Sequence, residues 1–477
     1  MKKKNENAKA ERKTRFIVPW PKLSVDARTS SCCGEGPAVI LWALECTSHY
    51  GENMATLASA VPPVHTAPET PAAAYSLLKR TRVDSVDLLR GLVMVIMMLD
   101  HTRDFAHAQA WTFDPTDLTK TYPLLFFTRW ITHFCAAIFV FLAGTGAYFQ
   151  EMRGKPKREL SRFLVSRGIW LVVLELTVVR LAIFFNLDYS NLFGFLQVIW
   201  AIGCSMVVLA ALIQLPLRTV AGIGIGMIAL HNLLDGIEVT SWRGPGSPTP
   251  GWGASLWSIL HQPGVIFPFG AGGPHAVVLY PLIPWIGVMA AGYAFGSIYR
   301  LDRLARRRLL LRLGGGLTLA FIALRAMNIY GDPSRWAVQK SAAMTVVSFL
   351  NVTKYPPSLL FLLMTLGPAL LALAWYENTN RRTIGRVLVT YGRVPLFFYV
   401  LQWLTAHTLA IVALGLAGKP FGYLVPMVDS PTPPGNYGFS LPMVYALWIF
   451  GVVLLYPLCK WYAGVKARRR DWWLSYL

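Results

Sequence analysis

Val83 to Phe105 reads V-D-S-V-D-L-L-R-G-L-V-M-V-I-M-M-L-D-H-T-R-D-F, and this stretch decides the fold. Gly91 to Leu99 is apolar throughout. Asp84, Asp87 and Arg90 stand before that run, and Asp100, His101, Arg103 and Asp104 stand after it. Charges so close to hydrocarbon are costly, so they mark a functional site or paired partners. Arg90 and His101 are eleven positions apart, which on a helix is about three turns and ~16 Å of rise. They therefore share one face, with Asp87, Met94 and Met97 between or beside them at steps of three and four. The stretch is expected to be a membrane helix with a cation at one mouth and a titratable imidazole at the other.

The rest of the chain agrees with a membrane class. Of 477 residues, 54% are apolar and only 14% charged, far from the balance of a soluble multidomain chain. The net charge of +21 does not imply a nucleic-acid partner, because Lys and Arg fall in short clusters between apolar runs. The six cysteines contain no C-x-x-C pair, and Cys135, Cys204 and Cys459 read as small apolar fillers.

Residues 1–78 differ in composition from the remainder of the chain. A basic start leads to an apolar patch at Pro37 to Leu44, too short to span a bilayer, and then to a Pro/Ala/Thr linker from Val61 to Ala74. This segment is expected to be a disordered or loosely attached extension, with Met54 as an alternative start. Residues 79–477 are expected to form one integral membrane domain. Its class is an all-α polytopic bundle of about ten spans, near 86–105, 125–149, 163–185, 192–215, 219–236, 277–299, 313–330, 355–376, 387–416 and 440–463. Basic clusters come after spans two, six, eight and ten: Arg153 to Arg162, Arg300 to Arg308, Arg381 to Arg386, and Lys466 to Arg470. The positive-inside rule then puts both termini in the cytoplasm. Gly287, Gly292 and Gly296 give the small-residue spacing of close helix packing.

On that topology His101, His107, His133, His231, His261, His275 and His407 all fall at the outer side. Imidazole is the side chain best suited to proton transfer near neutral pH. Asp100, Asp104 and Asp235 share that side and could orient an imidazole. Arg90 is either a snorkelling arginine paired with Asp87 or a cation that holds a phosphate near the inner face. No helix carries His at i and i+4, so no metal is expected.

Four segments together resemble the bacterial branch of the heparan-alpha-glucosaminide N-acetyltransferase catalytic-domain family. They are S-V-D-L-L-R-G (Ser85 to Gly91), H-F-C-A-A-I-F-V-F-L-A-G (His133 to Gly144), Y-P-L-I-P-W-I-G-V-M-A-A-G-Y (Tyr280 to Tyr293) and Y-G-R-V-P-L-F-F-Y (Tyr391 to Tyr399). The resemblance runs from about Arg82 to the C-terminus. It implies a membrane acyltransferase that moves an acetyl group from cytoplasmic acetyl-CoA to a saccharide on the outer side, in a bacterial inner membrane. It also implies Arg90, with Asp87, at the donor mouth and His101 as the catalytic imidazole, aided by Asp100 or Asp104. In heparan-acetylating members the active histidine lies in the loop after the first span, which points to His107; His133 is a further candidate. Relatives carry a histidine where this chain has Gln402, with His407 close by. The alternative reading is a permease for sugars or acyl metabolites that uses the same polar stripe as its path. Partners on either reading are the lipid bilayer and a saccharide, with a homodimer left open.

Overall fold

The structure is a computed structural model that describes residues 83–244, 246–377, 383–427, 433–469 and 471–476. The expected N-terminal extension lies outside the described residues.

Asp84–Ala106 forms one helix, α1 (23 residues), and its apolar middle leaves it no solvent face. It is buried along most of its length, from Ser85 to Ala106. Helices α2 (Pro123–Trp130) and α3 (His133–Met152) come after it. Next, α4 (Lys157–Leu174) runs through a π-helical turn at Glu175–Val179 into α5 (Arg180–Phe184). A strand β1 (Leu192–Leu196) precedes α6 (Val198–Leu212) and α7 (Leu217–Leu230). The long connection after α7 holds α8 (Trp252–Leu260), β2 (Gly264–Ile266) and β3 (His275–Val278). The remaining helices are α9 (Leu282–Phe295), α10 (Arg303–Met327), α11 (Ala342–Leu350), α12 (Leu359–Tyr376), α13 (Thr383–Arg393), α14 (Pro395–Leu416) and α15 (Leu441–Arg468).

Among the described residues, seven helices are long and apolar enough to cross a membrane. Each of the ten apolar stretches contains helix, but three fall short of that description. α1 carries too much charge at its ends, α4 is polar over its first turns, and α6 has only 15 residues. In the segments Leu217–Leu234, Arg303–Met327 and Leu441–Arg468 only 22% of the apolar window is buried. Ile225, Leu319, Ile322, Phe450 and Val453 point outward from them. Apolar faces of that extent are stable against hydrocarbon, not water.

Two expectations are corrected. The class is not purely α, because the stretches at 192–215 and 277–299 both begin with strand. β1 pairs in parallel with β3, which pairs antiparallel with β2, giving the order β1-β3-β2. L-F-G-F-L at 192–196 is as apolar as a span, so hydropathy alone cannot separate the two forms. The stretch at 387–416 is two helices, broken where Pro395 has no N–H to continue α13 and starts α14 instead.

Glycine sets the closest approaches. A Cβ at Gly91 would collide with the Leu388 carbonyl of α13, and one at Gly392 would collide with the Asp87 carbonyl of α1. α1 and α13 therefore touch backbone to backbone, which aligns Arg90 beside the start of α14. The expected packing role of the α9 glycines holds: Gly292 abuts the Phe141 carbonyl, and Gly287 faces Gly224 of α7. Gly91→Val is expected to cost about 1–3 kcal/mol by overpacking. A lowered midpoint in thermal unfolding of detergent-purified protein, read by size-exclusion, checks this.

Candidate active site

α1 carries a different cavity at each end. At the His101 end, the imidazole stacks on the Trp403 indole of α14, with ring centroids 3.5 Å apart and an interplanar angle of 16°. The ring is 7% exposed, and its Nδ1 is buried without a hydrogen-bond partner. Beside it Asp100 accepts from Arg129 of α2 through Oδ2, and its Oδ1 lies 3.0 Å from Arg103. Arg103 also binds Asp104. A cavity of about 400 Å³ opens on these groups, bounded also by His107, Lys354, Tyr355, Tyr280 and Trp403. Two carboxylates thus face three cations in a protein interior where an unpaired charge would be expensive.

At the Arg90 end, a larger cavity of about 770 Å³ holds Arg90, Arg153, Lys155, Arg167, Arg393 and Lys466 against only Asp87 and Glu159. Arg90 lies 3.6 Å from Asp87 and donates to the Leu142 carbonyl at 2.9 Å, so α1 and α3 hold the guanidinium. The C-terminus of α3, the N-terminus of α4 and the C-terminus of α15 all converge here. Such a surplus of cations, all but the exposed Arg153 half-buried, suits an anion with several phosphates.

The two cavities adjoin and share part of their lining. Val198 and Tyr399 line both. On α1, Met94 faces the Arg90 chamber and Met97 the His101 chamber. Val198 starts α6, whose N-terminus is anchored by Glu175. This carboxylate, 1% exposed, accepts from the backbone N–H groups of Gln197 and Trp200, each at 3.3 Å. A carboxylate at a helix N-terminus satisfies free donors and complements the helix dipole.

The expected site residues therefore divide between the chambers. Arg90 and Asp87 share the larger one; Asp100, His101, Asp104 and His107 share the other. The two carboxylates serve Arg103 and Arg129; neither accepts a hydrogen bond from His101 among the described residues. His133 lines a smaller cavity of about 220 Å³ beyond Arg129, Lys354 and Tyr355. His407 is wedged between Phe105 and Phe185, with its nitrogens near the Ala182 and Leu424 carbonyls, which is a packing role. Gln402 is fully buried, and its amide has no hydrogen-bond partner. His275 sits against Trp242 and Phe267, away from both chambers.

Sequence reasoning missed Arg129, Lys354, Tyr355 and Trp403. Arg129 had a signal, a lone cation within an apolar stretch. Trp403 had none, because an aromatic in a span is ordinary.

The family model for the heparan-alpha-glucosaminide N-acetyltransferase catalytic domain matches residues 82–331. The chain belongs to that family. It is thus a member of a membrane acetyltransferase family, and the match takes in Arg90, His101, His107, Arg129 and His133. Lys354, Tyr355, Tyr399 and Trp403 lie beyond the matched region and reach the same chambers only through the fold. Among curated proteins none matches the chain.

Asp100→Asn strips both arginines of their shared carboxylate and is expected to cost about 3–5 kcal/mol, as for any broken buried pair. Asp104, whose side chain is 29% exposed, is expected to cost ~1 kcal/mol or less as Asn. Thermal midpoints of the two variants in detergent check the order. His107 gives a pH signature. Burial, and secondarily the Arg103 cation, push its imidazole down from 6.5 to about 4. The unfolded chain thus takes up this proton first, so the stability His107 lends is full above pH 6.5 and lost as pH falls toward 4. His107→Gln is expected to flatten the stability profile across that window.

Proposed function

We propose that this protein passes an acetyl group from acetyl-CoA, bound at the Arg90 chamber, to a saccharide hydroxyl or amine bound at the His101 chamber. The observation that carries this reading is the pair of chambers back to back across Val198 and Tyr399, one rich in cations and the other holding a buried imidazole. The nucleotide and its phosphates suit the cationic chamber. The thin pantetheine arm is the only part of the donor narrow enough to reach the shared lining, and rotation of Tyr399 opens the way.

The chemistry needs a base near neutral pH, an acceptor held against the thioester carbon, and stabilisation for the developing oxyanion. His101 takes the acceptor proton as the acceptor oxygen or nitrogen bonds to the acetyl carbon; the C–S bond then breaks and the CoA thiolate leaves. Arg129 and Lys354 supply positive charge beside the carbonyl oxygen, while Trp403 fixes the imidazole plane. An acyl-imidazole on His101 is the covalent version of the same route. The three shorter or more polar helices complete ten spans, with both termini and the cationic chamber on the cytoplasmic side of a bacterial inner membrane, as the basic clusters support.

In proteoliposomes supplied with acetyl-CoA, His101→Ala is expected to lower transfer by at least ~10²-fold, the usual worth of a general base. Unchanged turnover in a folded variant rejects His101, and loss confined to His107→Ala moves the role there. Saccharide flux without release of free CoA favours the permease reading instead.

A further inference from the structure

Outside both chambers, His231, Asp235 and His261 come together. His231 opens the 3-10 turn that ends α7, Asp235 lies four residues on, and His261 comes directly after α8 within the long connection. One ligand atom from each lies within 4.8 Å of the others, and His261 Nε2 is 3.1 Å from Asp235 Oδ1. Both imidazoles are 2% exposed. His261 Nδ1 and both nitrogens of His231 lack a well-formed hydrogen bond, although the Pro357 carbonyl lies near His231. Two imidazoles buried this deeply around one carboxylate are poorly explained as packing.

We propose that these three side chains bind a divalent first-row cation, Zn²⁺ by the character of the donors. Two imidazole nitrogens and one carboxylate oxygen are a common zinc set, with metal–ligand distances of about 2.0–2.2 Å. In a tetrahedral site such donors stand ~3.3 Å apart. The Asp235–His261 pair already meets that spacing, and side-chain rotation closes the remaining gap. The outer support is in place as well. Asn232 Nδ2 donates to Asp235 Oδ2 at 2.8 Å, leaving Oδ1 for the metal, and Asn232 Oδ1 accepts from the Leu359 N–H of α12 at 2.8 Å. Ligating carboxylates are held in this way by a second layer of hydrogen bonds. Asp235, with 22% of its side chain exposed, leaves a route for the ion and a position for water.

The cation ties α8 and β2 to the end of α7. β2 pairs with β3, β3 pairs with β1, and Phe195 of β1 lines the His101 chamber. The site thus clamps the long connection over the bundle without touching the reacting groups. A search for histidines at i and i+4 misses it because the residue at that step from His231 is aspartate.

The test uses tag-free full-length protein in detergent, stripped with chelator and titrated with Co²⁺ and, separately, Zn²⁺. Co²⁺ is expected to give visible d–d absorption that saturates at one equivalent and is lost in Asp235→Asn and in His261→Gln, both eluting as the wild type does on size-exclusion. Zn²⁺ is expected to slow proteolysis within residues 237–276 of the wild type and not of either variant. Absence of d–d absorption, or absorption unchanged in both variants, or a thiolate charge-transfer spectrum in its place, overturns the proposal. Acetyl transfer is not read in this test, so its outcome is independent of the proposed reaction.

Discussion

The Asp100 carboxylate is the interaction on which the His101 end depends. It joins Arg103 on its own helix to Arg129 on α2, and Arg103 passes the charge on to Asp104. Without that pairing two guanidinium groups would lie buried in the bundle, and the cost would exceed anything the apolar contacts nearby return. With it, α2 is pinned to α1 and the cavity beside His101 stays polar. The cluster holds the site open by making its collapse into an apolar core too costly.

The same logic explains why so few residues define the fold. An apolar sequence can pack in many registers against equally apolar neighbours, so register must come from elsewhere. Here it comes from backbone contacts that only glycine permits, Gly91 on Leu388 and Gly392 on Asp87, and from buried polar links. Arg180 binds the carbonyls of Asn186, Asp188 and Leu192, fixing the loop into β1. Arg325 binds those of Ser334, Ser348, Phe349 and Asn351. Both arginines satisfy irregular backbone that has left its own ladder.

Much of this was legible in the sequence. The eleven-residue interval between Arg90 and His101 correctly put both on the inward face of one helix, because helical periodicity is local and does not depend on partners. The donors around Asp100 were not legible, since Arg129 comes from a separate helix and Lys354 from a loop more than 200 residues away. Strands β1 and β3 escaped for another reason: a short run of apolar residues supports either period until a neighbouring strand is known. The histidines looked like one set and are several. His101 and His107 share a cavity, His133 lies behind Arg129, His231 meets His261, and His407 is packed between phenylalanines.

The boundary between the chambers bears on which class of activity the bundle suits. A permease must expose one substrate site to each side in turn, and rigid-body rocking of one half against the other is the usual means. Here Val198 and Tyr399 line both chambers, each on a helix tied to its surroundings. Val198 sits at an N-terminus that Glu175 anchors. Tyr399 lies one turn before Trp403, against which His101 stacks. Moving the helices would break the Glu175 bonds and the His101 stack together. Moving the Tyr399 side chain alone breaks neither. A boundary of side chains carried on fixed helices suits the proposed transfer between two chambers better than the rocking of a permease.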